Sequence, residues 1–327
     1  MKRTLKVQAH SWRRKEPFVI ARGTSFSAEV INLELNSDGA VGRGEASGVN
    51  YHGETLASLL EDVEQVRQAV EAGATRHDLF RLLPAGGARN ALDAAMWDLE
   101  SKLTGVPVWR RAGMAQGRAV TTAITIGIRP IAAYEQAATA LAQHPWIKVK
   151  VDRVAPMEAI RAVRRGAPSA KLIVDANESW TVADVRAYGS AMADLGVRLL
   201  EQPVAAGQDR SLAGVKCPVP ICADESIQTT DDLSRLVGRY DFVNIKLDKT
   251  GGLTAALDLA REATDVGLRL MSGCMSGSSL AMAPAMVLAQ ICEINDLDGP
   301  CLLAEDLPGG LVYTNGVMTP PWPAFWG

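Results

Sequence analysis

The chain has 327 residues, of which 47% are hydrophobic and 22% are charged, and its formal net charge is -3. This length suits a barrel with a smaller companion domain, and the weak negative charge argues against nucleic acid or an anionic membrane surface as a partner. The longest uncharged apolar run, residues 280–292, is too short to span a bilayer, and the first residues contain no apolar signal core, so we expect a cytoplasmic protein.

The first part of the chain predicts antiparallel strands followed by helices. The segments TLKVQAHSW, SAEVINLEL and AVGRGEASG read as strands, and PFVIARGTS between the first two is predicted to be a loop that carries Arg22. From Thr55 to about Gly105 the apolar residues recur at helical spacing. Strands followed by helices indicate a separate α+β domain, which we place at residues 1–112.

The second part of the chain alternates short apolar runs with amphipathic helices. A strand, a helix and their turns occupy roughly 20 to 30 residues, which matches the spacing of these runs. Eight such strands predict a parallel α/β barrel over residues 118–305, with its chemistry at the carboxyl ends of the strands. The remaining residues, 306–327, are rich in Pro, Gly and Trp and are predicted to be an irregular tail that packs on the first domain. The eight runs are TTAITIG, IKVKVD, LIVDAN, RLLEQP, PICADES, FVNIKLD, LRLMSGC and EINDLDG.

Three carboxylates stand at the ends of three successive predicted strands: Asp175, Glu201 and Asp224. Taken singly, each could be a helix cap or a salt-bridge partner. Together they would repel each other at one barrel mouth unless a cation neutralised them. A set of oxygen ligands without His or Cys selects a hard divalent ion, so the pattern predicts a site for Mg²⁺, or for Mn²⁺.

Three lysines are predicted to face the same mouth. Lys148 and Lys150 alternate on one strand and therefore share a face, while Lys246 belongs to a strand four units further along. An exposed strand edge is the alternative, but a closed barrel has no edge. Because burial and neighbouring cations both disfavour the charged ammonium, we expect these lysines to lose proton affinity and to serve as bases near neutral pH.

These motifs together resemble the enolase superfamily, in its muconate-lactonizing subgroup, and most of all the dipeptide epimerases, including the L-Ala-D/L-Glu epimerases. The resemblance covers nearly the whole chain, and it rests on the strings KVK, VDAN, EQP, ADES and NIKLDKTGG behind a small domain that ends in ARNALDAAMWDL. It implies a modified TIM barrel of the (β/α)7β type with an N-terminal α+β capping domain.

The resemblance also implies roles for the charged residues. Asp175, Glu201 and Asp224 would hold Mg²⁺, and Lys150 and Lys246 would act as acid and base on opposite faces of the substrate. Lys148 would contact the substrate carboxylate and lower the pKa of Lys150. Subfamilies that use a His–Asp pair on later strands are poor matches, because every histidine precedes the carboxylates: His10, His52, His77 and His144.

Further residues are candidates for substrate binding. Asp296 and Asp298 alternate on the last strand and could bind a cation such as a free α-ammonium group, a role that an Asp-x-Asp has in dipeptide epimerases by resemblance; a turn in which both bond their own backbone is the alternative. Arg22 could clamp a distal carboxylate in a bidentate manner. Thr125 and Cys274 are weaker candidates for lining the substrate site.

The sequence thus predicts an isomerase: a Mg²⁺-dependent epimerase that inverts the α-carbon of the C-terminal residue of a small dipeptide, with L-Ala-D/L-Glu as the leading substrate. Such a reaction fits recycling of murein peptides, and a homo-oligomer is possible for barrel enzymes of this kind. The alternatives are racemisation of N-acylamino acids or a lyase reaction of the o-succinylbenzoate synthase type, both through the same enolate. A non-catalytic binding barrel is a third.

Overall fold

The N-terminal domain of the computed structural model, which describes residues 3–327, contains a three-stranded antiparallel sheet in the order β1-β2-β3. A buried apolar core lies between this sheet and helices that follow it. The elements are β1 (Thr4–Ile20), β2 (Gly23–Ser37), β3 (Ala40–Ala46), α1 (Leu56–Glu71), α2 (Leu79–Leu82), α3 (Gly87–Thr104) and α4 (Val108–Arg111).

The segment PFVIARGTS is not a loop, and that prediction was wrong. Beyond an irregularity between Arg13 and Phe18, the strands resume pairing, with Phe18 opposite Ser25 and Ile20 opposite Gly23. The apolar, partly β-branched run before the turn favours extended backbone. Arg22 therefore lies in a two-residue turn at the tip of a long β1–β2 hairpin.

The close packing of β3 against α3 explains two glycines in the GRGE motif. A Cβ added to Gly42 would lie 2.0 Å from the Ala95 carbonyl oxygen, and one added to Gly44 would lie 2.1 Å from that of Ala91. Only glycine permits this approach of strand to helix. The contact fixes β3, and with it Glu45, against the rest of the domain.

The second domain is a parallel barrel of eight strands in chain order from β5 to β12, as predicted. The first and last strands meet where the Ala123 amide donates to the Asn295 carbonyl oxygen at 2.8 Å. The strands are β5 (Ile124–Ile126), β6 (Trp146–Lys150), β7 (Lys171–Asp175), β8 (Val197–Glu201), β9 (Ile221–Ala223), β10 (Phe242–Ile245), β11 (Arg269–Gly273) and β12 (Ile294–Asp296).

Helices cover the outside of the barrel and enclose its main apolar core. They are α5 (Ile131–Ala140), α6 (Pro156–Gly166), α7 (Val182–Asp194), α8 (Leu233–Leu236), α9 (Leu247–Thr250), α10 (Leu253–Asp265) and α11 (Ser279–Ala289). The apolar residues of TDDLSRLVGRY, residues 230–240, have helical spacing, but the segment forms only a 3-10 turn (Thr230–Asp232) and the single turn of α8. The left-handed backbone of Gly238, with φ of 76°, is incompatible with continuing it.

The tail is more regular than predicted. Its strands β13 (Tyr313–Thr314) and β14 (Val317–Met318) form a small antiparallel sheet with β4 (Val120–Thr121). The final residues pack on the first domain, where the Gly327 amide donates to Asp98 Oδ1 at 2.8 Å. The division at residues 112, 118 and 305 stays a prediction. None of the helices in residues 3–327 is both long and apolar enough to cross a membrane.

Candidate active site

The barrel places the three predicted carboxylates side by side at its carboxyl-terminal mouth. Asp175 ends β7, Glu201 ends β8, and Asp224 directly follows β9. In the parallel register Asp175 lies opposite Glu201, and Glu201 lies opposite Cys222. All three carboxylates are buried, with at most 1% of the residue exposed. Because adjacent parallel strands end at one edge, residues far apart in sequence converge here.

The three predicted lysines reach the same carboxylates. Lys148 Nζ lies 3.0 Å from Asp175 Oδ2, 2.8 Å from Glu201 Oε2 and 2.7 Å from Asp296 Oδ2. Lys150 Nζ lies 2.6 Å from Asp175 Oδ2. These pairs form a buried network in which lysines and carboxylates alternate.

Lys246 enters the network from across the barrel, since β10 is four strands from β6. Its Nζ donates to Asp224 Oδ2 at 2.6 Å. A fourth lysine, Lys249, was missed from the sequence because its KTGG segment resembles an ordinary turn. Its Nζ donates to Asp224 Oδ1 at 2.7 Å and to the Asn244 carbonyl oxygen at 2.9 Å. Asp224 is therefore bracketed by two ammonium groups.

For Lys148 and Lys246, the pKa directions are opposite to the expectation that clustering lowers lysine proton affinity. Burial disfavours the charged form of Lys148, but Asp296, Glu201 and Asp175 outweigh it and raise the pKa well above its ordinary value. For Lys246, burial is likewise outweighed, chiefly by Asp224, and the pKa is raised. The neighbouring carboxylates, which the expectation from sequence did not consider, therefore determine the direction of both pKa shifts.

The pKa values of the carboxylates Asp224 and Glu201 are shifted in opposite directions. Burial opposes ionisation of Asp224, yet Lys246, Lys249 and Lys148 together hold its pKa well below the ordinary value. Burial and the charge of Asp175 raise the pKa of Glu201 to about 8. Lys148, which lies 2.8 Å from Glu201 Oε2, offsets only part of this rise.

The donor chemistry of these residues fits a hard divalent cation. The three acids supply only oxygen ligands, and Glu201 Oε2 has no hydrogen-bond partner although Lys148 lies near it. Within residues 3–327 no three acidic, His or Cys side chains are already arranged around a common metal position. Lys148, Lys150 and Lys246 each contact at least one of the three acids, so a cation would take oxygens that these lysines contact.

Asp296 and Asp298 form a second acidic pair. Asp296 Oδ2 accepts from Lys148, while its Oδ1 has no hydrogen-bond partner. Asp298 Oδ2 accepts from the Thr125 amide at 2.7 Å, and burial followed by the charge of Asp296 raises its pKa to about 7. Both carboxylates bond to residues of the first two barrel strands, β5 and β6, instead of to their own turn. They line a small chamber of about 70 Å³ with Thr125 and Cys274.

A larger cavity of about 410 Å³ lies above this chamber, between the two domains. Lys150, Lys246 and Cys274 line it from the barrel. The hairpin tip and the segment after β3 line it from the capping domain, through Arg14, Phe18, Ile20, Arg22, Asn50 and Tyr51. The site is therefore enclosed only when both domains are present.

Arg22 lies at this cavity with its guanidinium already paired. Its Nη1 contacts Glu225 and lies 3.1 Å from Glu178 Oε2, and its Cζ stands 5.0 Å from the centre of the Tyr51 ring. Neither glutamate was identified from the sequence. The ADES and DANES strings offered a signal, since both glutamates lie within three residues of a strand end.

Comparison with known families gives matches along the chain. The family model described as "Mandelate racemase / muconate lactonizing enzyme, N-terminal domain" matches residues 2–113, and "Enolase C-terminal domain-like" matches residues 132–322. The L-Ala-D/L-Glu epimerase of Escherichia coli is 43% identical, covering 97% of this chain and 99% of that protein. The N-acetyl-D-glutamate racemase of a Pseudoalteromonas species is 45% identical, covering 76% and 79%.

Solved structures of related proteins are also similar to this chain. An enolase family member from Agrobacterium tumefaciens with homology to dipeptide epimerases, solved with sodium and L-Ala-L-Glu, has a TM-score of 0.97 at 40% identity and covers 99% of this chain and 100% of its own. A dipeptide epimerase from Enterococcus faecalis, solved with Mg and L-Leu-L-Tyr, has a TM-score of 0.91 at 30% identity, covering 98% and 97%.

Proposed function

Because the chain belongs to the mandelate racemase and muconate lactonizing enzyme family of the enolase superfamily, with which it shares fold and motifs, we propose that it is a dipeptide epimerase. It would interconvert L-Ala-L-Glu and L-Ala-D-Glu by inverting the α-carbon of the C-terminal residue. The observation that carries this proposal is the placement of Lys150 and Lys246 on strands at opposite sides of one carboxylate-lined mouth.

Two opposed lysines suit inversion of a carbon centre. One amine removes the α-proton from one face and the other ammonium returns a proton to the opposite face, so each direction of the reaction uses the pair in reverse order. Asp175, Glu201 and Asp224 would hold Mg²⁺. When bound, the cation supplies stabilisation of the second negative charge that develops on the substrate carboxylate.

The capping domain and the acidic pair would orient the substrate. Asp296, whose Oδ1 lacks a partner, and Asp298 would accept hydrogen bonds from the free α-ammonium group. Lys148 would bind the substrate carboxylate. Thr125 fixes Asp298 through its amide, and Cys274 lines both the chamber and the outer cavity. A place in murein peptide recycling, a cytoplasmic location and a homo-oligomer all stay predictions.

Replacement of either lysine tests the two-base assignment. Lys150→Met and Lys246→Met should each lower the epimerisation rate of L-Ala-L-Glu by at least about 100-fold, the usual range for loss of a general acid or base. Polarimetry measures the rate, and circular dichroism checks the fold. The exposed Lys216→Met serves as the control and should keep the rate. A folded Lys150 or Lys246 variant that epimerises at the wild-type rate would refute the assignment.

Racemisation of N-acylated glutamate is the second candidate, because the Pseudoalteromonas racemase is as similar in sequence as the epimerases. Its substrate has no free ammonium group and would leave the oxygen of Asp296 without a partner. The unpartnered Asp296 Oδ1 therefore favours the dipeptide.

A further inference from the structure

Gln202 is a fully buried amide that directly follows Glu201 at the end of β8, and no part of the proposed mechanism uses it. Its backbone has a φ of 32°, in the left-handed region that costs a residue with a side chain about 1 kcal/mol or more. A glycine would adopt this backbone without that cost. The side chain of Gln202 therefore has contacts that outweigh an unfavourable backbone conformation.

The left-handed backbone turns the carbonyl group of Gln202 away from β9. Within the parallel pairing of β8 and β9, the Gln202 amide donates to the Cys222 carbonyl oxygen at 2.9 Å. A regular parallel ladder would continue with the Asp224 amide donating to the Gln202 carbonyl oxygen. That oxygen instead accepts from the Glu178 amide at 2.8 Å, in the segment after β7. The backbone of Gln202 thus bonds to both neighbouring strand ends.

The side-chain oxygen of Gln202 takes the place of this missing carbonyl group. Its Oε1 accepts from the Asp224 amide at 2.8 Å and from the Ser226 amide at 3.2 Å. Because β9 ends at Ala223, the backbone of Asp224 lies beyond the strand and is not held by the regular ladder. Gln202 therefore holds the backbone of the residue that carries the third carboxylate.

A buried polar network fixes the orientation of the Gln202 amide. Its Nε2 donates to the Val204 carbonyl oxygen and to Ser226 Oγ, both at 2.9 Å, and to Tyr240 Oη at 3.1 Å. Asp209 Oδ1 in turn accepts from Ser226 Oγ at 2.5 Å and from Tyr240 Oη at 2.7 Å. Since the donors face Oε1 and the acceptors face Nε2, only one orientation of the amide satisfies them all.

Gln202 therefore joins the strand ends that carry all three carboxylates. Asp175 ends β7, Glu201 ends β8, and Asp224 follows β9. A Mg²⁺ ion requires near-ideal octahedral geometry with metal–oxygen distances of about 2.1 Å, so a small movement of one ligand weakens binding. Loss of the Gln202 amide would free the backbone of Asp224 from that of Glu201.

We propose that Gln202 is a positioning residue for the magnesium site, which fixes Asp224 relative to Glu201 and so sets the affinity for Mg²⁺. This inference rests on the proposed function and its assignment of the three acids as ligands. Gln202 itself does not bind the cation, because its Oε1 already accepts two hydrogen bonds and its Nε2 is a donor.

Calorimetric titration of Mg²⁺ into the protein without substrate tests this proposal. Gln202→Met keeps the length of the side chain but removes the amide, and it should raise the Kd for Mg²⁺ by about 10- to 100-fold, the usual effect of losing an outer partner of a metal ligand. Urea denaturation of the metal-free protein measures stability separately. The exposed Gln208→Met is the matched control and should bind Mg²⁺ as the wild type does.

Two further variants make the result specific. Gln202→Gly adopts the left-handed backbone without strain, so it should fold even if Gln202→Met does not, and it should show the same loss of affinity. Asp224→Asn tests the ligand assignment on its own and should abolish measurable binding of Mg²⁺. Epimerisation of L-Ala-L-Glu by the wild type is followed in parallel.

Each outcome decides the matter. A folded Gln202→Met or Gln202→Gly variant that binds Mg²⁺ with the wild-type Kd overturns the proposal, even if its stability is lower, and leaves Gln202 with a structural role alone. An Asp224→Asn variant that binds as tightly as the wild type overturns the ligand assignment and the role of Gln202 with it. A wild type that binds Mg²⁺ without epimerising the dipeptide overturns the proposed function, while weaker binding by the Gln202 variants would still support the positioning role.

Discussion

At the scale of single residues, Lys249 shows how Asp224 is held. The residue is 1% exposed, and its ammonium group donates to Asp224 Oδ1, the Asp224 carbonyl oxygen and the Asn244 carbonyl oxygen. Lys246 donates to the other carboxylate oxygen, Asp224 Oδ2. Lys249 thus fixes the orientation of a carboxylate that faces the mouth.

We predict that Lys249→Met destabilises the protein. The change removes the Lys249 donor from Asp224 Oδ1 and one donor from each of two carbonyl oxygens, and breaking a buried ion pair costs about 3 kcal/mol or more. Urea denaturation measures the free energy of unfolding, and the exposed Lys216→Met is the matched control. A loss below about 0.5 kcal/mol, which is the range of surface substitutions, would contradict this account of Lys249.

The positions of the catalytic candidates could be predicted from sequence, but their protonation could not. Asp175, Glu201 and Asp224 follow apolar runs at regular spacing, and parallel strand ends converge. The raised pKa of Lys148 depends on which carboxylates its ammonium group touches, and that requires coordinates. Burial likewise requires coordinates, since in the string WRRKEP Arg13 is exposed and Arg14 is buried.

At the scale of elements, Glu45 joins β3 of the capping domain to the start of α11 on the barrel. Its carboxylate accepts from the Ser278 amide, from Ser278 Oγ at 2.8 Å and from Trp12 Nε1 at 3.2 Å. Ser278 caps α11 and follows the segment that carries Cys274. This one carboxylate therefore ties the segment after β11 to the other domain.

The pH dependence of stability follows from the pKa of Glu45. Burial raises it from 4.5 to about 7, although its hydrogen bonds with Ser278 and Trp12 act in the opposite direction. Between those two values the folded state retains a proton that the unfolded state releases. The stability that Glu45 contributes is thus complete below the unfolded value and is lost as pH rises through about 7.

Glu45→Gln tests this behaviour. The free energy of unfolding of the wild type relative to the variant should decrease as the pH rises from about 5 to about 8, because only the wild type must ionise a buried carboxyl. Other buried acids, such as Asp93 and Asp298, titrate in both proteins and cancel in the difference. Denaturation curves at the two pH values give the result, and an equal difference at both would contradict it.

The elements themselves were largely predictable, and the exceptions have physical causes. Each of the eight barrel strands coincides with one of the eight apolar runs, and none begins more than one residue before its run, because buried parallel strands are apolar throughout. The hairpin tip was missed because pairing between residues 18–20 and 23–25 depends on register across a turn. The tail strands are only two residues long, and β14 pairs with β4, some 200 residues earlier in sequence, which no local pattern reveals.

At the scale of the whole molecule, the capping domain is fixed to the barrel beside the catalytic lysines. The Ser47 and Gly48 amides donate to Asp248 Oδ1, two residues from Lys246. Arg89 of α3 donates to the Thr250 and Gly251 carbonyl oxygens. These contacts hold the segment with Asn50 and Tyr51 over the cavity. Sequence predicted two domains, but not which capping residues would close the site.

The central claim, that this enclosed mouth inverts the C-terminal α-carbon of a dipeptide, is tested most directly by proton NMR in D₂O. Wild-type protein with Mg²⁺ is incubated with L-Ala-L-Glu and, separately, with N-acetyl-L-glutamate. We predict loss of the Glu α-proton signal together with appearance of the L-Ala-D-Glu diastereomer, and much slower exchange of the N-acetyl compound. An unchanged dipeptide spectrum beside rapid exchange of N-acetyl-L-glutamate would contradict the dipeptide assignment.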